Sequence, residues 1–467
     1  MQPAPAAAQA ETPQVTRMLA EKVSAIRFEE LPPEVVFLAR QCLLDWMGVT
    51  LGGFNEPLAG ILRADALEQG GHPQATLIGS GERVTTAQAA LVNGAASHAL
   101  DFDDVHLGMS GHPSVPVIPG LLALAEQRRA TGRDFVAAFV AGFEMECRVG
   151  ALVMPGHYQA GFHATGTLGT FGAAAACAHL MQLDADQWRN ALGIAGAQAA
   201  GLKSMFGTMC KPFHAGKAAA NGLLAASLAA RGFTSNADVL ETAQGFGATQ
   251  TGTLSPERAL RGLGEDYAIR GTLFKYHAAC YGTHETIEGV LRLREENGLD
   301  AAKVDAVDLL VPPGHLAMCN IPEPATALEG KFSLRFTAAL ALAGRGSSEA
   351  AFTDEAVHDP ALVALRDRVT VRPRSEEQGV AIGGGTDVTV RLRDGGELRK
   401  RVNLDIPASD LGQQWRRLVE KYRSLAEPAI GPVRASALLS AIEGLEGADS
   451  MAAVAELATA GPARSAP

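Results

Sequence analysis

From about Pro13 to Gly271 nearly every periodic segment of this chain spaces its apolar residues for helix, and the side chains it has to pack with are small. Runs such as GFHATGTLGTFGAAAACAHL (161–180) and KPFHAGKAAANGLLAASLAARGF (211–233) are about half alanine and glycine. With aromatics at only 5% of the chain, such helices must gain their burial by close approach of backbones. Helix signals bound the segments. Pro32–Pro33 opens an amphipathic helix through VVFLARQCLLDWMGVTLGG, and Gly52–Gly53 ends it. Thr86–Leu100, Val115–Thr131, Asp134–Leu152, Thr165–Met181, Ala185–Leu202, Ala215–Ala230 and Ser235–Ala243 follow as helices, with Gly and Pro at many joins.

After about Gly271 the pattern changes. Val304–Val311 is β-branched and apolar and reads as a strand, as does Arg368–Val371. Asp387–Leu392 and Glu397–Val402 alternate around Asp394–Gly396 and predict a hairpin. Helices Glu285–Glu296 and Lys331–Ala343 lie among these strands, and Leu411–Ala426 and Pro432–Leu445 return to helix with faces that rejoin the first bundle. The expected fold is therefore mostly α. A large discontinuous all-helical domain (12–271 and 406–460) carries a smaller α+β lid domain (272–405), with disordered tails at 1–11 and 461–467.

Charge narrows the function classes. A net charge of −11 without any Lys/Arg block argues against a nucleic-acid or membrane-surface partner. The six cysteines are scattered with no CxxC pair, so neither a zinc site nor a disulfide framework is expected, and a reducing cytoplasm fits. The N-terminus has no basic and apolar signal pattern. No 18-residue stretch reads as apolar enough to span a bilayer, Gly166–Leu183 coming nearest. Nucleotide and hydrolase motifs (GxGxxG after a strand, GxxxxGKS/T, GxSxG) are missing from the sequence, and the Ile382–Thr386 run reads as a loop before a strand.

The chemistry concentrates in NGAASHALDFDDVHLGMSGHPS (93–114). Three aspartates (Asp101, Asp103, Asp104) and three histidines (His98, His106, His112) stand among alanine and glycine. Burying so many ionisable groups is costly unless they pair or react. A metal site like that of Asp-rich cyclases is a weak reading, because no second metal motif accompanies the run; no metal is expected. The bland reading has Asp101 and Asp104 capping helices and the histidines satisfied in the core. Three later segments supply what an acidic centre would need. His163 and Thr165 open an Ala/Gly-rich helix, a place that favours an anion. Lys211, fixed by Pro212, and Lys275, at the junction of the two domains, are cations in apolar surroundings, while Lys217 reads as solvated and Lys203 as undecided. Cys280 reads as a buried thiol and His284 as a residue near a helix start.

These segments, together with LFKYHAACYGTH (273–284), resemble the MmgE/PrpD family, over about residues 15–450. The resemblance implies a cofactor-independent enzyme that forms a carbanion or enolate beside a carboxylate, working as a homodimer on a small polycarboxylate. By that resemblance the functional positions are Asp101, His112, His163, Lys211 and Lys275. Asp101 and His112 move protons, while Lys211, Lys275 and His163, with Asp104 added from the same loop, bind substrate carboxylates. The family's reactions include dehydration of 2-methylcitrate, decarboxylation of cis-aconitate and epimerisation of a substituted dicarboxylate. Dehydration is the preferred expectation, epimerisation the runner-up, and a non-catalytic carboxylate-binding homologue the reading from a different class. This chain has Val105 where the decarboxylases carry Thr, His315-Leu316 where they place a Tyr, and Val115-Pro116 where the methylcitrate dehydratases have Asp-Asn.

Overall fold

The computed structural model describes residues 14–374 and 384–460. The expected terminal tails and the start of the Ile382–Thr386 run lie outside the described residues. Helices dominate, and their ends have local causes. Thr86–His98, Gly132–Val153 and Ala185–Gly196 each begin on a capping box, formed by Thr85/Gln88, Thr131/Asp134 and Asp184/Gln187. The small-residue runs pack as their composition requires. A Cβ at Gly94 would stand 2.7 Å from the Gly216 Cα, so Thr86–His98 and Cys210–Ala229 cross in close contact at that pair.

Three expectations need correction. Ser235–Ala243 is turns, not helix: Ser235 is tied to Asn190 of the Ala185–Gly196 helix, and the Asp238 N–H donates to the Asn236 side chain two residues back. The Cys210–Ala229 helix starts five residues before the expected Ala215 and takes in Lys211–Pro212, since a first-turn proline removes an N–H that has no intrahelical partner. Pro33–Gly53 is long and apolar enough to cross a membrane by length and composition, contrary to the sequence reading, but 83% of its apolar window is buried inside the fold.

The α+β part is built on a four-stranded sheet ordered Val369–Pro373, Val304–Val311, Thr386–Leu392, Glu397–Val402. The first pair is parallel and the others antiparallel, with the expected hairpin in register Val390↔Leu398. Tyr281–Asn297 packs on this sheet, and Gly289 lets it approach, since a Cβ there would come within 2.5 Å of Val388. Most buried apolar residues fall into two clusters, one through the helical body and one through the α+β part; Val49, Phe102 and Leu425 of the helical body belong to the second. The helical body also contains short ladders. One pairs Val105–His106 with Thr272–Leu273 in antiparallel register. That ladder brings the Asp/His loop beside the strand end that leads to Lys275.

Candidate active site

The Thr86–His98 helix runs out into a tight loop. Asp101 sits there in left-handed backbone at φ 49°, a conformation that aspartate tolerates better than most residues. The loop returns through the His106–Gly111 bridge and enters the Ser114–Arg128 helix. Two lysines hold Asp101. Lys275 Nζ donates to its carbonyl at 2.6 Å and to Oδ1 at 3.1 Å, and Lys211 Nζ lies 2.8 Å from the same Oδ1. His112 Nε2 stands 3.7 Å from that oxygen. The Asp101 side chain is 33% exposed and Lys275 only 3%, so the carboxylate faces the opening and the lysine reaches it from beneath.

Behind this layer is a second. Asp103 is buried between two histidines, 2.9 Å from His98 Nδ1 and 2.8 Å from His112 Nδ1. His163, at the start of the Ala164–Leu180 helix, stacks on His98 with ring centres 5.9 Å apart and meets His214 Nδ1 to Nδ1 at 3.0 Å. Thr165 Oγ1 accepts the His112 backbone N–H at 3.1 Å, which ties the loop to that helix start.

Electrostatics divides the aspartates. Burial pushes the Asp101 carboxyl up, but Lys211, Lys275 and His112 outweigh it and hold it well below the usual carboxylate range. Asp103 is held low in the same way, against burial, by His112 and His98. Burial takes His98 down to about 4, so it is neutral, and its buried Nε2 has no partner. Asp104 differs. It accepts Ser114 Oγ at 2.6 Å and the Ser114 N–H at 3.2 Å, which caps the Ser114–Arg128 helix. Burial and the neighbouring Asp45 raise it to about 8. Glu146, whose two carboxylate oxygens are buried without hydrogen bonds, is driven well above the usual range by burial and by Asp104.

The structure thus brings together Asp101, His112, His163, Lys211 and Lys275, and places Asp104 on the inner side of the loop as a helix cap. Lys203 donates to the Tyr158 carbonyl at 3.2 Å and lies 3.7 Å from that ring's centre; it forms no ion pair with Asp101 among the described residues. Lys217 is exposed, His284 is buried inside the Tyr281–Asn297 helix, and Cys280 is partly exposed at the start of that helix, not buried. Sequence reasoning passed over Lys421 and Asp45. Lys421 Nζ lies 2.5 Å from Asp45 Oδ1 and donates to the Phe102 carbonyl at 2.5 Å, which fixes the loop from the Leu411–Ile430 helix. The signal was there: Lys421 shares its helix face with Leu418 and Leu425, and Asp45 stands alone in an apolar run. His214, one turn after Lys211, was passed over too.

Ligand atoms of His98, Asp101, Asp103 and His112 all lie within 4.8 Å of one another, a spacing that could hold a metal ion. The charge of Asp101 is already met by two ammonium groups, however, and Asp103 is shared between two rings, so this donor set is committed within the protein. A groove of about 1100 Å³ lined by Phe28, Arg128, His179 and Trp188 lies elsewhere and contains none of these side chains.

Comparison with known proteins adds a family description. Residues 17–259 match the MmgE/PrpD N-terminal domain and residues 277–446 the MmgE/PrpD C-terminal domain. The chain is similar to the cis-aconitate decarboxylase-like protein oryM of Aspergillus oryzae, 28% identical over 92% of this chain and 94% of that one. It is 26% identical to cis-aconitate decarboxylase of Homo sapiens, over 92% of each chain. A cis-aconitate decarboxylase of Aspergillus terreus is 25% identical over 95% of each.

Proposed function

The chain belongs to the MmgE/PrpD family, and from that premise we propose that it is a lyase acting on a small di- or tricarboxylate by moving a proton at carbon next to a carboxylate. The observation that carries this reading is the Asp101 carboxylate seated between the ammonium groups of Lys211 and Lys275, at 2.8 and 3.1 Å. Two lysines that already hold one carboxylate have the chemistry to hold a substrate's. As negative charge builds on that carboxylate in the transition state, the same two ammonium groups stabilise it.

The proton carrier in this proposal is His112. Asp103 lies on its Nδ1, which leaves Nε2 as the nitrogen on the Asp101 side. Asp101 itself is too weak a base, because the two lysines hold its carboxyl low. For decarboxylation, the bond to the departing carboxylate breaks, its electron pair remains on carbon next to the lysine-held carboxylate, and the imidazolium of His112 protonates that carbon. For dehydration, neutral His112 takes the proton from carbon, the carbon's electron pair forms the alkene as the C–O bond breaks, and the resulting imidazolium returns that proton to the departing hydroxyl, which leaves as water. The two outcomes have equal standing: relatives covering nine-tenths of the chain bear the decarboxylase name, while Val105 offers no hydroxyl where the decarboxylases carry Thr. Every step is assigned to side chains of this chain. The family resemblance extends the proposal to a homodimer, for which sedimentation should give twice the 48.6 kDa chain mass.

The test is a proton NMR time course in deuterated buffer with EDTA, offering cis-aconitate, citrate, 2-methylcitrate and amino-substituted dicarboxylates. Loss of a carboxylate identifies a decarboxylase, and a new alkene with loss of hydroxyl a dehydratase. Deuterium entering a C–H position without net conversion points to an epimerase instead. A folded protein that converts none of the panel, and binds none of it by calorimetry, sinks the reading.

A further inference from the structure

His214 lies one turn after Lys211 on the Cys210–Ala229 helix, and nothing in the proposed chemistry uses it. Its Nδ1 is 3.0 Å from Nδ1 of His163. Two imidazole nitrogens at that distance share one proton, so one ring donates and the other accepts. The pairing is built into the fold. His163 is 2% exposed and clamped, with His98 stacked 17° from parallel on one side and Phe206 edge-on at 5.0 Å on another. Its backbone N–H donates to Gly201 at 3.0 Å. Glycine at two neighbouring positions permits the approach: a Cβ at Gly166 would stand 3.0 Å from the His214 Cβ, and one at Gly201 would stand 3.4 Å from the His163 Cβ.

From this geometry we infer that His214 is a positioning residue that donates its Nδ1–H to His163 Nδ1, and so fixes His163 as the tautomer that presents Nε2–H to a substrate carboxylate. Two arguments select this direction. His163 Nε2 has no protein partner among the described residues, and the anion-holding Lys211 sits on the same helix as His214, one turn earlier, so a donor on His163 serves the site and a bare lone pair opposes it. Second, His163 cannot supply donors on both nitrogens by taking up a proton, because burial and the positive charge of Lys211 hold it far below the ordinary histidine range. A neutral ring has one N–H, and its neighbour decides where it sits. His214 is only partly buried, and its Nε2 likewise has no protein partner among the described residues, so its own proton exchanges with water.

The inference rests on the proposed carboxylate site for its consequence, but not for its first test. Ring-nitrogen NMR of the resting protein, with the His163 signals assigned by their loss in His163→Asn, reads the tautomer directly and needs no substrate. An Nδ1 without a proton and a protonated Nε2 on His163 are expected; the reverse assignment overturns the inference whatever the enzyme acts on. The second test measures binding of a substrate identified by the turnover panel. His214→Leu should raise KM about tenfold, the loss of one hydrogen bond to a charged group, with the His163 N–H now divided between its two nitrogens. His214→Asn, whose amide stands where Nδ1 stood, should restore KM to within about threefold. Equal KM in His214→Leu and wild type, with an unchanged amide spectrum, also overturns it.

Discussion

Asp101 and Asp104 belong to one short loop and sit under opposite fields. Asp101 looks outward to two ammonium groups and a histidine and stays ionised. Asp104 looks inward to Ser114, with Asp45 and the unbonded Glu146 as neighbours, and is raised to about 8. The outer face gathers charge that a substrate can use. The inner face removes charge and serves to hold the loop's shape, with the Lys421 ammonium donating to the Phe102 carbonyl. Identical residue types three positions apart therefore do different work, and what separates them is which cations can reach them.

Variants on the two faces should fail differently. The largest effect is expected on the outer face: His112→Gln should lower kcat by about 10²–10⁴-fold if it carries the proton, with thermal midpoint unmoved. A kcat within threefold of wild type would transfer the role elsewhere. Next come two lysines with opposite signatures. Lys421→Met leaves Asp45 buried without its cation and should cost about 3–5 kcal/mol of stability in denaturant unfolding. Lys211→Met should leave stability nearly unchanged and cut kcat/KM by about 100-fold or more. If both variants lose stability equally, the distinction between the faces is wrong.

The smallest effect belongs to Asp104→Asn. The folded protein holds the Asp104 proton up to about pH 8, whereas an unfolded aspartate releases it near pH 4. The fold therefore binds that proton more tightly, and stability declines as pH rises between those values. Asparagine removes the titration while it can still accept from the Ser114 N–H. The decline in melting temperature between pH 5 and 8 should flatten in this variant, by about 2 °C or more, at nearly constant kcat. An unaltered slope would place the buried proton elsewhere, with Asp45 or Glu146 as the next candidates.

Much of this was legible in the residues. The strand Val304–Val311 and the hairpin carry period-two patterns strong enough to mark them within a residue. The crowding of ionisable groups between Asn93 and Ser114 marked the site. Direction was not legible: alternation of side chains in a loop follows no fixed period, so nothing in DFDD says that Asp101 points out and Asp104 in. Nor could spacing reveal Lys421, which reaches the loop from 319 residues away. His214 lay inside a motif already read for its lysine, and only the His163 contact singles it out.

One further consequence follows from the contact between Lys275 and Asp101. The two residues are 174 positions apart, while the helices around them are made of local contacts. Closing so long a loop costs entropy that is repaid only once both ends are in place. A refolding chain should therefore regain its helical circular dichroism well before it regains turnover, with the Val105–Leu273 ladder among the last parts to form.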